Sequence, residues 1–177
     1  MRTTHFICST IVKTFIVFLL TLCAPWLSAF ELPKDVSASP VILTVSGKIG
    51  IKNTPDSAVF DAALLDTLPQ HSFVTATPWF KTPVKFTGPL LRDLLQALKA
   101  SGSSIKATAL NDYKINIPMT DVLKYDVILA SQIDGKVISV REKGPLFVIY
   151  PFDSAQELKN LTYYSRSIWQ LKALSVE

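Results

Sequence analysis

The stretch VREKGPLFVIYPFD, Val140 to Asp153, decides the fold class. Two cations, Arg141 and Lys143, precede a Gly144-Pro145 turn, and an almost wholly apolar run follows to Phe152. A strand with one wet face would alternate polar and apolar residues, so an unbroken apolar run of this length predicts a strand covered on both faces. Elsewhere the chain does alternate. VILTVSGKIG, Val41 to Gly50, follows Pro40 and reads as a half-buried strand, and SIWQLKALSVE reads as a closing strand near the end of the chain.

Between these lie shorter signals. Asp61 is a predicted N-cap, with Phe60 and Leu65 placed as a hydrophobic staple and Pro69 as the stop. HSFVTATPWF predicts a strand running into a turn at Pro78, and VKFTG a further strand. A helix is expected with Pro89 at its first position, Leu90, Leu91, Leu94, Leu95 and Leu98 on one face, and Gly102 as terminator. Asn111-Asp112 and Asp134-Gly135 sit where hairpin turns belong. YYSRS reads as a turn. The sum is an α+β fold with many short strands and two or three helices, without internal repeats or linkers.

The first 29 residues read as an export signal. Arg2 and Lys13 precede the apolar run Thr14 to Cys23, and APWLSA supplies small residues for cleavage near Ala29. Leu22 argues against Cys23 as a lipid-modified residue. The expectation is a periplasmic or secreted protein with one domain over residues 30–177. Removing Arg2 and Lys13 lowers the formal charge from +4 to +2, which gives nucleic acid no reason to bind. Both cysteines, Cys8 and Cys23, fall in the same segment, so the mature chain has no thiolate for catalysis, disulfide formation or metal ligation.

The remaining candidates are few. His71 stands without a nearby His, Cys or carboxylate pair in sequence, and reads as a solvated loop residue. No Gly-x-Ser-x-Gly elbow supports a serine hydrolase. Asp121 and Asp126 flank a short helical turn and read as solvated caps, and Asn160-Leu161-Thr162 matches a glycosylation sequon. Of the three arginines beyond the leader, Arg92 reads as solvated. Arg141 and Arg166 each precede an aromatic-rich stretch, where a guanidinium fork suits phosphate or carboxylate and equally suits a surface ion pair or an aromatic face. TPW, NDY, YPFD and YYSRS each set an aromatic beside a polar turn.

Taken together, these turns resemble the oxidoreductase molybdopterin-binding domain of the sulfite oxidase superfamily, from about Leu43 to Val176. VREKGPLFVIYPFD and YYSRSIWQLKALSV are similar to the family's Gly-x-Pro strand and its closing strand. PVKFTGPLLRDLL is similar to its strand, turn and helix, with Phe86 where tryptophan is common. The resemblance implies the mixed sulfite oxidase fold and, in catalytic members, molybdenum held by a pterin dithiolene and a cysteine. The corresponding region here, TATPWF, contains no cysteine, and the hydroxyl of Thr75 or Thr77 is a hard, neutral replacement for a soft thiolate. Basic residues expected near the pterin phosphate are thinned: Leu146 and Phe147 follow the Gly-Pro turn, and Ile168 precedes Trp169.

The resemblance therefore implies a cleft lined by Thr77, Trp79, Asn111, Asp112, Tyr113, Arg141, Lys143, Gly144, Tyr150 and Arg166, with no catalytic residue and no metal ligand among them. Molybdopterin is the cofactor the family suggests; the missing thiolate gives the expectation that none is held. The leading expectation is a non-catalytic module that binds a small anionic or heterocyclic ligand in a sensory or accessory role. Two alternatives stand beside it. One is a molybdopterin-dependent oxidoreductase that holds the metal without a protein thiolate. The other is a partner-binding module for a membrane sensor or redox subunit, using DYKINIP and YYSRS as contact surface. At Arg141 and Lys143 the choice stays open between a cleft rim and a hairpin end with two solvated cations.

Overall fold

A computed structural model describes residues 32–33 and 39–177. The expected leader and its cleavage near Ala29 lie outside the described residues. Alternation builds the largest sheet. Strand β1 (Leu43–Gly47) buries Leu43 and Val45, while β5 (Ser104–Ala109) buries Ile105, Ala107 and Ala109 and turns Lys106 and Thr108 outward. With β2 (Ser57–Phe60), β6 (Lys114–Pro118) and β11 (Leu171–Val176) they form five strands in the order β2-β1-β11-β5-β6. All neighbours are antiparallel except β1 and β11, which run parallel. Asn53 caps the β2 edge: its side chain exchanges two hydrogen bonds with the Val59 backbone, at 2.8 and 2.9 Å.

The second sheet has four strands in the order β3-β4-β8-β9, from β3 (Gln70–Thr75), β4 (Val84–Pro89), β8 (Gln132–Ile133) and β9 (Lys136–Val137). Asp134 and Gly135 close its β8-β9 hairpin with φ of 48° and 76°, the geometry that selects such residue pairs. A third pair joins β7 (Ile128–Ala130) to β10 (Phe147–Ile149). All three residues of β10 are buried, so the strand is covered on both faces as its composition predicts. The Gly144-Pro145 peptide before it is cis.

Helix α1 (Ala62–Asp66) starts as its sequence predicts, with Asp61 accepting the Leu64 N–H at 2.7 Å and Phe60 and Leu65 buried. Helix α2 (Leu91–Ala97) differs at both ends. Pro89 is the last residue of β4, not the first of the helix. The helix stops at Lys99 rather than Gly102: Lys99 adopts φ 51°, and the Lys99 and Ala100 N–H groups bond back to Gln96 and Leu95. Gly102 serves packing instead, because a Cβ there would lie 2.3 Å from the Glu177 carbonyl oxygen.

Two further helices, α3 (Met119–Lys124) and α4 (Leu161–Arg166), raise the number among the described residues to four α-helices where the sequence suggested two or three. YYSRS is thus a helix, not a turn. Its start was written in Asn160, whose side chain accepts the Thr162 N–H at 2.8 Å as an N-cap. Two short 3-10 turns, Phe152–Ser154 and Gln156–Leu158, lead into α4. A shared apolar core, including Phe60, Phe86, Phe147, Tyr150 and Phe152, lies among the sheets and helices. No helix among the described residues is long and apolar enough to cross a membrane.

Candidate functional site

Where β3 ends, the chain turns through Thr77 and Pro78, and the Trp79 N–H approaches the Thr77 hydroxyl at 3.3 Å. This turn sets the Trp79 ring at the centre of an aromatic cluster. Ring centroids of Phe147, Trp169, Phe152 and Tyr164 lie 5.5, 5.6, 6.1 and 6.2 Å away, in the tilted and edge-on orientations that aromatic quadrupoles favour. Outside the cluster opens a groove of about 650 Å³ between the β5-β6 turn, α4 and the segment before β11. Trp79, Trp169, Tyr164 and Tyr113 supply its aromatic surface; Asn111, Ser165 and Ser167 supply polar groups. Leu161 forms an outer lip and is 85% exposed.

The residues expected to share one cleft occupy separate places. Thr77, Trp79, Asn111 and Tyr113 meet at the groove and its supporting turn. Lys143 reaches it only through Trp169, with Nζ 4.4 Å from that ring's centroid. Asp112 adopts φ 65° in the β5-β6 turn and pairs with Lys172 at 2.8 Å, which holds its carboxyl below the usual carboxylate range. Arg141 is exposed and forms no ion pair among the described residues. Gly144 does permit a close backbone approach, but to the chain itself: an added Cβ would fall 1.9 Å from the Ile138 carbonyl oxygen.

Tyr150 and Arg166 belong to a buried polar cluster outside the groove lining. The Tyr150 hydroxyl donates to Asp121 Oδ2 at 2.8 Å, and the Arg166 guanidinium donates to the same oxygen at 2.7 Å. Asp121 is 7% exposed, which corrects its reading as a solvated cap; the structure makes it the anion that joins α3, α4 and the end of β10. Burial, reinforced by the Asp121 charge, pushes the Tyr150 phenol far above its ordinary value. Asp126 is exposed and pairs with Arg92 at 2.6 Å, so Arg92 is partnered and not merely solvated. His71 lies on β3 rather than in a loop, with Nε2 3.6 Å from Asp93 Oδ2.

A second tie escaped the sequence. Thr75, at the end of β3, is 1% exposed and accepts the Asp153 N–H at 3.1 Å, while Asp153 accepts the Ala76 N–H at 2.6 Å. Lys159 pairs with the same carboxylate at 2.8 Å. Lys159, aided by the Ala76 N–H, holds Asp153 below the usual carboxylate range. The partners stand 78 residues apart, so no local pattern joins them.

The arrangement can stack and hydrogen-bond a planar molecule. It offers no nucleophile with a base beside it, and no group of three His, Cys, Asp or Glu among the described residues is placed to hold a metal ion. No buried side-chain nitrogen or oxygen among the described residues lacks a partner. No curated protein matches the chain. A family model does: residues 64–162 match the oxidoreductase molybdopterin binding domain, from within α1 to the start of α4. The closing strand that carried part of the resemblance lies beyond the matched residues. That match spans more than half of the sequence and agrees with the mixed-sheet α+β architecture, and the chain belongs to the oxidoreductase molybdopterin-binding domain family.

Proposed function

We propose that this protein is a ligand-binding member of its family, one that uses the groove beside Trp79 and Trp169 for a small planar heterocycle and carries out no redox turnover. The single observation behind this reading is the donor set. Molybdenum bound to a pterin dithiolene calls for a soft thiolate, and its phosphate for nearby cations. The matched residues contain no cysteine, the Thr75 hydroxyl is turned to the Asp153 backbone, and no lysine or arginine lines the groove. These residues do not fit the group. Aromatic walls with an amide and hydroxyls suit a neutral heterocycle, which gains by stacking and by a few placed hydrogen bonds.

Export and a sensory or accessory role in the envelope belong to the same proposal, supported by the N-terminal charge and hydropathy pattern. The test begins with protein from a host that makes the cofactor, assayed for molybdenum by elemental analysis and for pterin by fluorescence of its oxidised form. Neither is expected. Stoichiometric molybdenum would replace this reading with a molybdopterin-dependent oxidoreductase lacking a protein thiolate. Free pterin and related planar heterocycles are then titrated while tryptophan emission is followed. Saturable quenching is expected, and none across the panel overturns the proposal.

A second reading draws on exposure. Tyr113 and Leu161 present apolar surface around the same rim. A membrane sensor or redox subunit docking there would lose affinity on Leu161→Asp.

A further inference from the structure

On the other flank of α4, Lys106, Lys114 and Arg166 surround a shallow concavity of about 580 Å³. The β5-β6 register explains two of them. Ile105 pairs with Ile117 and Ala107 with Ile115 on the core side, so the alternate pairs, Lys106 with Asn116 and Lys114 with Thr108, face outward together. Helix α4 then brings Thr162, Ser165 and Arg166 to the same hollow. Three cations, an amide and two hydroxyls line it, and no carboxylate does.

Each cation is held differently. Arg166 is the preorganised member: one guanidinium nitrogen is fixed on buried Asp121, and the plane lies 5.5 Å from the Tyr163 ring centroid. Lys106 pairs with Glu177, an exposed partner that a stronger anion can displace at little cost. Lys114 has no ion pair among the described residues. Arg166 and Lys106 each have a carboxylate partner and Lys114 has none among the described residues, so the hollow keeps a net positive charge that an oxyanion meets with charge-assisted hydrogen bonds. The Ser165 hydroxyl donates to the Thr162 carbonyl, so the donors left for a ligand are the three cations, Asn116 and the Thr162 hydroxyl.

We infer that this hollow is an oxyanion site, taking the phosphate or carboxylate of a small molecule, and that it acts independently of the aromatic groove. Inorganic phosphate is the first probe, followed through backbone amide resonances, with acetate and chloride at matched ionic strength. Saturable shifts at Lys114, Asn116, Thr162 and Ser165 are expected from phosphate or from acetate, the stronger of the two naming the ligand class. The double variant Lys106→Gln/Lys114→Gln should weaken that binding by about tenfold or more, with an unchanged melting temperature, and Lys114→Arg should retain it. Linear shifts, equal shifts with chloride, or an unaltered affinity in the double variant would each overturn the inference.

Discussion

Two aromatic clusters lie beside α4, and they use the same residue types in opposite ways. Around Trp79 the rings of Phe147 and Phe152 meet tilted and those of Tyr164 and Trp169 edge to face, and the cluster opens onto the groove. Around Tyr150 the rings of Tyr125 and Tyr163 pack at 6.4 and 5.4 Å, and hydroxyls anchor them: Tyr150 to Asp121, and Tyr125 to Glu157 at 2.7 Å. Lys124 completes this second cluster at Glu157, 2.7 Å away, and Lys124 with Tyr125 holds that carboxyl below its ordinary range. The contrast separates surface kept for a ligand from surface committed to cohesion. An aromatic ring is free to receive a guest when its neighbours are rings; it is scaffold when its hydroxyl completes a buried network.

The sharpest way to break the contrast is Asp121→Ala. It leaves the Tyr150 hydroxyl and the Arg166 guanidinium without their shared acceptor, and a loss of about 3 kcal/mol is expected in urea unfolding. Tyr150→Phe, which leaves Asp121 its arginine, should cost less, about 1–2 kcal/mol. Equal and negligible losses in the two would show that the network adds no cohesion. Trp169→Ala addresses the other cluster. The side chain is partly exposed, so a stability loss of only about 1 kcal/mol is expected, together with loss of heterocycle-induced quenching.

The smallest expected effect is in acid. The Asp153 carboxyl lies lower in the folded protein than its unfolded value of about 3.9, so the unfolded chain binds the extra proton and stability rises with pH. Its contribution is complete above the unfolded value and is lost as pH falls through the lower folded one. Asp153→Asn should flatten that acid limb without altering the neutral-pH groove. An unchanged pH profile in the variant would show that the contacts of Asp153 with Lys159 and the Ala76 N–H carry no linkage.

The sequence made most of the sheet legible because strand alternation and cap residues are local signals. Asp61, the Asn111-Asp112 turn and the doubly covered β10 all follow from a few neighbouring residues. Asp121 did not, because its identity as a buried anion depends on Tyr150 and Arg166, 29 and 45 residues away. Helix α4 was hidden for a different reason: LTYYSR has no apolar stripe, and Asn160 satisfied a glycosylation pattern as readily as a cap. The site was legible in residue type more than in place. Trp79, Asn111 and Tyr113 converge on the groove, whereas none of Arg141, Lys143 and Arg166, the cations grouped with them, lines it.

The parallel pairing of β1 with β11 has a consequence for how the protein is made. The last strand in the sequence lies third among the five, with the β1-β2 hairpin on one side and the β5-β6 hairpin on the other. Gly47 and Gly102 press against its final residues, where an added Cβ would strike the Val176 or Glu177 carbonyl. A growing chain that stops short of Leu171 therefore holds two hairpins with no strand between them, and this sheet cannot close while β11 is still inside the ribosome.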